Sequence, residues 1–592
     1  MRGSLLSQKT RNNALLAGVF LLSSLSAFIY PIWKFKDYFI TRDWGLFNSF
    51  SLFTNSCWNY YGRIPLQNPY VFGGFDVSAN PQARIFSPLT IFDILFSPPY
   101  ANLLSLVFLG FVGSIGMYKL LRFLKVSQFI SALIAVVFVH ASWFHLHFAE
   151  GHVIFGSFYL FGYSLLFILR FSENRFKIYY AILCAFFLLD GAMYAFIYSQ
   201  LLFLFMHLFR IGNLSIRSLL RYCWFNKKAT VVAFFVFCCL SSMKLLPMLL
   251  MHWGRLPIME NITLNFRSII NAFFNVNAHI HYRGEGTNYW EMIKYHEVGT
   301  YIGVLSFGLI VGYAVKCFSR TLISYGVIIL FFFWIGSGWL DPINPWRLFQ
   351  LIPVVSNAHI QTRALFIVYL FLIVLLAFAL DKVLKRRKIW IVLVCIFLFI
   401  EGSYTSFYPY YKVFQHEESV SANLVLPRVI NNTTIDQTVS SPICKGWGYA
   451  VEHFNHWNIA TLGFMDPSFK STNVKTVGDE SYRGEIYFLK GTGICKLLEY
   501  TPGEIRVEYA TAEEATIQIN SNYLFGWHTV TDDVQVTDKD GLITIDVAQG
   551  SGIVKLFYTK KVVGLTFLFF LIGAVVTIYF FWSEKRARSI QK

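Results

Sequence analysis

The chain has 592 residues, of which 55% are hydrophobic, 19% aromatic and only 14% charged, with a mean hydropathy of +0.51. A soluble protein of this size does not carry so much apolar surface, so the class is polytopic membrane protein. The formal charge of +17 does not indicate a nucleic-acid binder, because the lysines and arginines sit mostly in short clusters between apolar runs, as positive-inside loops do.

A spanning helix needs about 20 mostly apolar residues. By that measure there are about twelve candidates, near 14–34, 100–121, 127–146, 152–170, 177–194, 195–210, 229–250, 299–315, 322–339, 364–380, 389–407 and 562–582. The first run ends in Pro31, Trp33 and Lys34 with no small-residue cleavage site, so it reads as a retained helix rather than a signal peptide. With Arg2, Lys9 and Arg11 on the cytoplasmic side, the clusters from Lys119–Lys125 to Lys585–Lys592 fall on that side too. Both termini are then cytoplasmic. The long segments 35–99, 251–298, 340–363 and 408–561 fall opposite. The expected organisation is a transmembrane domain over 1–407 with a large first outer loop, an extracytoplasmic domain over 408–561, and a last helix with a basic tail over 562–592.

Residues 408–561 are polar, and from about 500 onward the pattern alternates with period two, in EIRVEYA, ATIQINS, VQVTD, LITIDVA and IVKLFY. Asp540-Gly541 between two such runs signals a hairpin. This predicts a β-sandwich-like module preceded by a mixed region. Cys444 and Cys495 lie in this segment and could pair in an oxidising compartment. The nine cysteines show no zinc-type spacing.

The stretch from Arg42 to Pro88 is too long for a tight turn and too rich in Gly, Pro and Asn for an ordinary helix, and a long structured loop is usually functional. It carries Asp43 just after the first span, and Trp44, Trp58, Tyr60 and Tyr61 offer flat faces for a sugar or an isoprenoid chain. Polar groups at membrane depth are costly and ask for a reason. Those present gather on the expected outer face: His147, Glu150 and His152 in HFAEGH, Asp190, Lys244, Glu297 in YHEVG, and Arg347 and Arg363 around the tenth span. Each has a plain structural explanation as well. Asp43 at a helix end is an ordinary cap, and Lys244 is placed to snorkel. The set His147, Glu150, His152 and Glu297 could hold a divalent metal, Mg2+ or Mn2+, or an acceptor, although the spacing matches no strong metal motif. The shared location suggests a cavity lined by acids and cations, which suits transfer from a lipid phosphate. Asp43 would be the general base, and Arg363, Arg347 and Lys244 would hold the phosphate of the donor.

The string GRIPLQNPYVFGGFDVSANPQARIFSPL resembles the first-loop signature of YfhO-like bacterial membrane proteins: Gly62, Pro65, Asn68, Pro69, Tyr70, Gly74, Ala79, Asn80, Pro81, Gln82, Phe86, Pro88 and Leu89 match. Gln67 replaces the usual tryptophan and Asp76 the usual proline. Tyr523, Gly526 and Trp527 match a strand of the same family, and Gly151-His152 and the arginine of IQTRALF also fit. The resemblance implies a GT-C-type glycosyltransferase fold in a bacterial inner membrane. It also implies polyprenyl-phosphate-linked sugars as donors, a cell-envelope glycan or lipid as acceptor, and an acid in the first outer loop, where Asp43 stands. Glu150 and Glu297 are the positions for further acids of the wider superfamily, while the usual acidic pair is absent because Trp44 follows Asp43. The rival classes are a transporter or flippase of lipid-linked glycan, and a non-catalytic subunit of glycan assembly. The former usually shows inverted repeats with broken helices, which this sequence lacks.

Overall fold

The computed structural model describes residues 2–34, 43–69, 73–209, 214–252, 263–274, 295–341, 343–352, 360–383, 388–414, 432–435, 459–461, 473–475, 480–559 and 561–590. Arg42, Tyr70 and Cys444 lie outside them, as does most of the expected mixed region before the β module.

The helices are α1 (Arg2–Ala27), α2 (Ile29–Lys34), α3 (Asp43–Asn59), α4 (Thr90–Leu95), α5 (Pro98–Phe123), α6 (Gln128–Val139), α7 (Ser142–Ala149), α8 (Phe161–Leu169), α9 (Asn174–Leu189) and α10 (Met193–Leu208). They continue as α11 (Ile216–Phe225), α12 (Lys227–His252), α13 (Phe266–Phe274), α14 (Val304–Lys316), α15 (Arg320–Ser337), α16 (Trp346–Gln350), α17 (Leu365–Val383), α18 (Lys388–Phe414) and, after the strands, α19 (Lys561–Ile590). Among the described residues, six helical stretches are long and apolar enough to cross a membrane: Tyr100–Phe123, Gln128–Ala149, Lys227–Met251, Arg320–Ser337, Gln361–Lys382 and Lys561–Arg586. Three further apolar helices, Val153–Leu169, Met193–Leu208 and Val304–Lys316, are shorter. The chain is therefore a mostly helical, multi-pass membrane protein. Two of the candidate runs, 177–194 and 195–210, form helices of 16 residues each, α9 and α10. Between the runs 127–146 and 152–170 the chain turns at Glu150–His152, where Gly151 takes a φ of 94°. Helix α17 is the centre of the bundle: from Ala364 to Phe371 every side chain is essentially buried.

The first loop departs from expectation. Its first half is not irregular but the helix α3, most of whose side chains are buried, Trp44 completely. An apolar face of Phe47, Phe50 and Phe53 drives this burial. Trp44 is thus a core residue, while Trp58 and Tyr60 stay exposed. Beyond α3 the loop forms a small hairpin, β1 (Gln67–Asn68) against β2 (Phe75–Asp76). Two charged groups then hold its Asn80–Ser87 turn. Lys244 of α12 reaches the carbonyls of Asn80 and Ala83, and Asp190 at the end of α9 accepts from Ser87 Oγ at 2.8 Å and from Ser157 Oγ at 2.7 Å. Arg84 pairs with the buried Asp93 at 2.7 Å.

Strands β3 (Asn432–Ile435) and β4 (Ile459–Thr461) pair in parallel. From Ile486 onward the chain builds two four-stranded antiparallel sheets. One has the order β10 (Gln535–Lys539), β11 (Leu542–Val547), β8 (Ala515–Asn522), β5 (Ile486–Lys490). The other runs β6 (Gly493–Thr501), β7 (Glu504–Thr511), β12 (Gly550–Tyr558), β9 (Trp527–Thr529). The period-two residues Ile505, Val507, Ile517, Ile519, Ile543, Ile545, Val554 and Leu556 are buried at 0–1% exposure, so the alternation sets the inner faces. Asp540 and Gly541 join β10 to β11 with φ of 56° and 77°, the pair of positive angles that a tight hairpin of the I′ kind needs. Trp527 is buried against Tyr558, with ring centroids 5.4 Å apart, so it serves as core.

The first loop docks onto this β module. The Gly73 carbonyl accepts from Asn522 N at 2.7 Å and from Ser521 Oγ at 2.8 Å. A side chain on Gly73 would collide with Val474, and one on Gly74 with Ser521. Gln67 Oε1 accepts from Gly503 N at 3.1 Å, Tyr558 OH donates to Asp76 Oδ2 at 3.1 Å, and Arg63 pairs with Glu504. Burial raises the Tyr558 hydroxyl pKa, so it remains a donor. Because Asp76 is 1% exposed, loss of that donor under-satisfies a buried carboxylate, at a cost of about 1–3 kcal/mol. Tyr558→Phe should therefore lower the thermal unfolding midpoint of the purified protein; an unchanged midpoint would show that this contact does not hold the module to the loop.

Candidate functional site

Five stretches far apart in the sequence meet at one buried point: the start of α3, the α7 C-terminus with Glu150–His152, the 3-10 turn Tyr295–Glu297, the turn Gln361–Ala364 that opens α17, and Phe155 with Tyr194 beside it. The local cause of the meeting is glycine. A Cβ on Gly151 would lie 2.1 Å from Trp44 N and 2.5 Å from Asp43 C, and its φ of 94° disfavours any other residue. With glycine there, the carbonyl of Glu150 accepts from Asp43 N at 3.0 Å. Asp43 thus opens α3, where the helix N-terminus favours its carboxylate.

The side chains form two linked chains. In the first, His152 Nε2 lies 2.8 Å from Asp43 Oδ2, and His152 Nδ1 lies 2.9 Å from His147 Nδ1. With neutral imidazoles, His152 Nε2–H donates to the carboxylate, its Nδ1 lone pair accepts from His147 Nδ1–H, and His147 Nε2 carries a lone pair. That nitrogen is buried and has no hydrogen-bond partner among the described residues. In the second chain, Arg363 binds Glu297 through two parallel contacts of 2.8 and 2.7 Å. His296 Nε2 is 3.2 Å from the same carboxylate, and His296 Nδ1 is 3.7 Å from Glu150. The guanidinium also sits between the rings of Phe155 and Tyr194, with its central carbon 4.7 and 4.4 Å from their centroids. Burial pushes the Glu297 carboxyl up, but Arg363 and His296 outweigh burial and hold it well below the usual carboxylate range. His147, His152 and Glu297 each offer a donor atom within 4.8 Å of the other two.

Of the residues singled out from sequence, Asp43, His147, Glu150, His152, Glu297 and Arg363 come together. Arg363 does so as the partner of Glu297 rather than as an uncommitted phosphate binder. Lys244 and Arg347 do not join them. Lys244 is held by the Asn80 and Ala83 carbonyls, where a buried ammonium finds acceptors, and Arg347 pairs with Asp341 at 2.8 Å in a partly exposed turn. Asp190 belongs with the first-loop clamp. His296, which stands with Glu297 in the YHEVG string, joins them and bridges Glu150 and Glu297. One acid apart from this group was not in the candidate set. Glu401, inside the apolar α18, accepts from Tyr301 OH at the edge of a small cavity lined also by His140, Ser142, Tyr369 and Thr405. A carboxylate within an apolar run was its signal.

No known family model matches the chain, and no curated protein matches it.

Gly151→Ala tests the assembly. Left-handed strain and the clash with α3 together cost about 1–3 kcal/mol or more. The variant should unfold at lower temperature than the wild type, and the Asp43–His152 contact should open, read as a changed His152 resonance in specifically labelled protein. A variant with wild-type melting and an unchanged resonance would mean that the two loops are not pinned at this glycine.

Proposed function

We propose that the protein is a membrane glycosyltransferase of GT-C type that moves a sugar from a polyprenyl-phosphate donor to a glycan, lipid or polymer of the cell envelope. The observation that carries this reading is the convergence of Asp43, Glu150, His152, Glu297 and Arg363 at one site from segments that the sequence separates by more than 300 residues. The resemblance of the first loop to YfhO-like proteins supports the same class. The distribution of basic residues supports about a dozen spans with both termini in the cytoplasm and the β module outside it, and the resemblance implies a bacterial inner membrane.

In this reaction Asp43 removes the proton from the acceptor hydroxyl as that oxygen attacks the anomeric carbon. The bond from that carbon to the phosphate oxygen breaks, and polyprenyl phosphate leaves with the bonding pair. His152 orients the Asp43 carboxylate through its Nε2–H. Arg363 fixes Glu297 and brings positive charge to the rim of the site, where a departing phosphate is stabilised. The exposed Trp58 and Tyr60 at the far end of α3 offer apolar faces to a lipid or sugar.

The test is sugar transfer by the full chain in proteoliposomes, with polyprenyl-phosphate sugars as donors and an envelope extract as acceptor. Wild type should transfer, and Asp43→Asn, which keeps size and removes basicity, should lose about 10²–10⁴-fold of the rate. Equal transfer by both overturns Asp43 as base. Transport of the lipid-linked sugar across the bilayer without transfer would assign the protein to the flippase class, and binding without either to the assembly-subunit class.

A further inference from the structure

The geometry points to a binding site for one divalent transition metal of the zinc type, formed by His147, His152 and Glu297, with Asp43 and Arg363 orienting the ligands. The inference concerns the site above but does not depend on its being a transferase.

Three independent features carry it. The first is donor geometry. One atom from each of the three residues lies within 4.8 Å of the other two. Ligands about 2.0–2.2 Å from a tetrahedral zinc stand roughly 3.3–3.5 Å apart, so side-chain movements of about an ångström close the set. All three are largely buried, with side-chain exposures of 13% for His152 and 8% for Glu297, and His147 fully enclosed. A site that must not rearrange much is already formed.

The second is the state of the nitrogens. Two Nδ1 atoms face each other at 2.9 Å, a distance that calls for one proton between them, while Nε2 of His147 is enclosed with no partner among the described residues. A buried ring nitrogen without a donor or acceptor is costly. A metal ion on the Nδ1 pair would release the proton between them, and one on His147 Nε2 would take up the unpartnered lone pair, since a ligating histidine must offer a lone pair. The carboxylate of Asp43 on His152 Nε2 matches the arrangement by which metal-ligating histidines are held in one tautomer and ring orientation. Arg363 does the same for Glu297. A carboxylate has about four lone-pair positions; the guanidinium takes two and His296 a third, which leaves room for a metal at the fourth.

The third is the chemistry of the surroundings. Asp43 lies on His152, Glu297 beside both histidines, and Glu150 3.7 Å away from the neighbouring His296, and acids gathered around imidazoles favour a dication there. The donor set then selects among dications. Two imidazoles with one carboxylate suit zinc, cobalt, nickel or iron, whereas magnesium prefers an all-oxygen octahedron that keeps its waters. This shifts the sequence-based expectation from magnesium or manganese to the zinc class.

The experiment uses the full chain in nanodiscs, purified without chelator. Elemental analysis should find roughly one zinc-class ion per chain. After stripping, cobalt(II) titration should produce the visible bands of a low-coordinate cobalt centre, and excess magnesium should not displace it. His147→Ala should abolish both signals. Asp43→Asn, which keeps the fold and the three ligands, should weaken cobalt affinity by about 10–100-fold, and this variant keeps the test valid where His147→Ala fails to fold. Wild type without metal and without cobalt bands, metal retained equally by His147→Ala, or displacement by magnesium would each overturn the assignment. Metal binding is read separately from sugar transfer, so loss of one leaves the other standing.

Discussion

The site rests on the close approach of two backbones. The chain at Glu150–His152 lies flat on the first turn of α3, with Gly151 where any side chain would collide. One hydrogen bond, from Asp43 N to the Glu150 carbonyl, registers the loops against each other. From that registration His152 meets Asp43, and Glu150 is turned towards His296 and Glu297. The rest is charge compensation. Glu297 is tolerable in an enclosed position because Arg363 grips it with both arms of its fork, and that arginine is itself sheathed by two aromatic rings. Breaking such a pair from one side strands the other charge, so the group is held together as a unit.

A second set of charges holds the first loop farther along the chain. Lys244 and Asp190 look, as isolated letters in apolar runs, like candidates for chemistry. In the fold they serve the backbone and hydroxyls of the Asn80–Ser87 turn. The turn lacks regular secondary structure, so its carbonyls need donors from elsewhere. A buried ammonium supplies several at once. The glycine-rich hairpin that follows α3 is used for a different purpose, as a flat seat for the end of β8.

Much of this was legible in the sequence. The β module follows from alternation and from Asp540-Gly541, because strand periodicity and hairpin turns are local properties. The membrane class follows from composition, and six of the nine residues nominated as chemistry-bearing, counting Asp190, do gather at one place. What was hidden was pairing. Nothing local says that Lys244 finds two carbonyls more than 150 residues earlier, or that Arg363 spends its fork on Glu297. The helix α3 was hidden for another reason. Its glycine and asparagines lower intrinsic helix propensity, but burial of its aromatic face outweighs them. Propensity is a weak guide wherever tertiary packing is dense.

Gln67 and Asp76, on the facing strands of the first-loop hairpin, both reach into the β module, at Gly503 and Tyr558. The loop and the module are therefore fitted to each other as a matched set. Exchanging the C-terminal module alone would bring together surfaces whose polar groups no longer correspond. The two segments, separated by more than 400 residues of chain, are therefore expected to fold and to fail together.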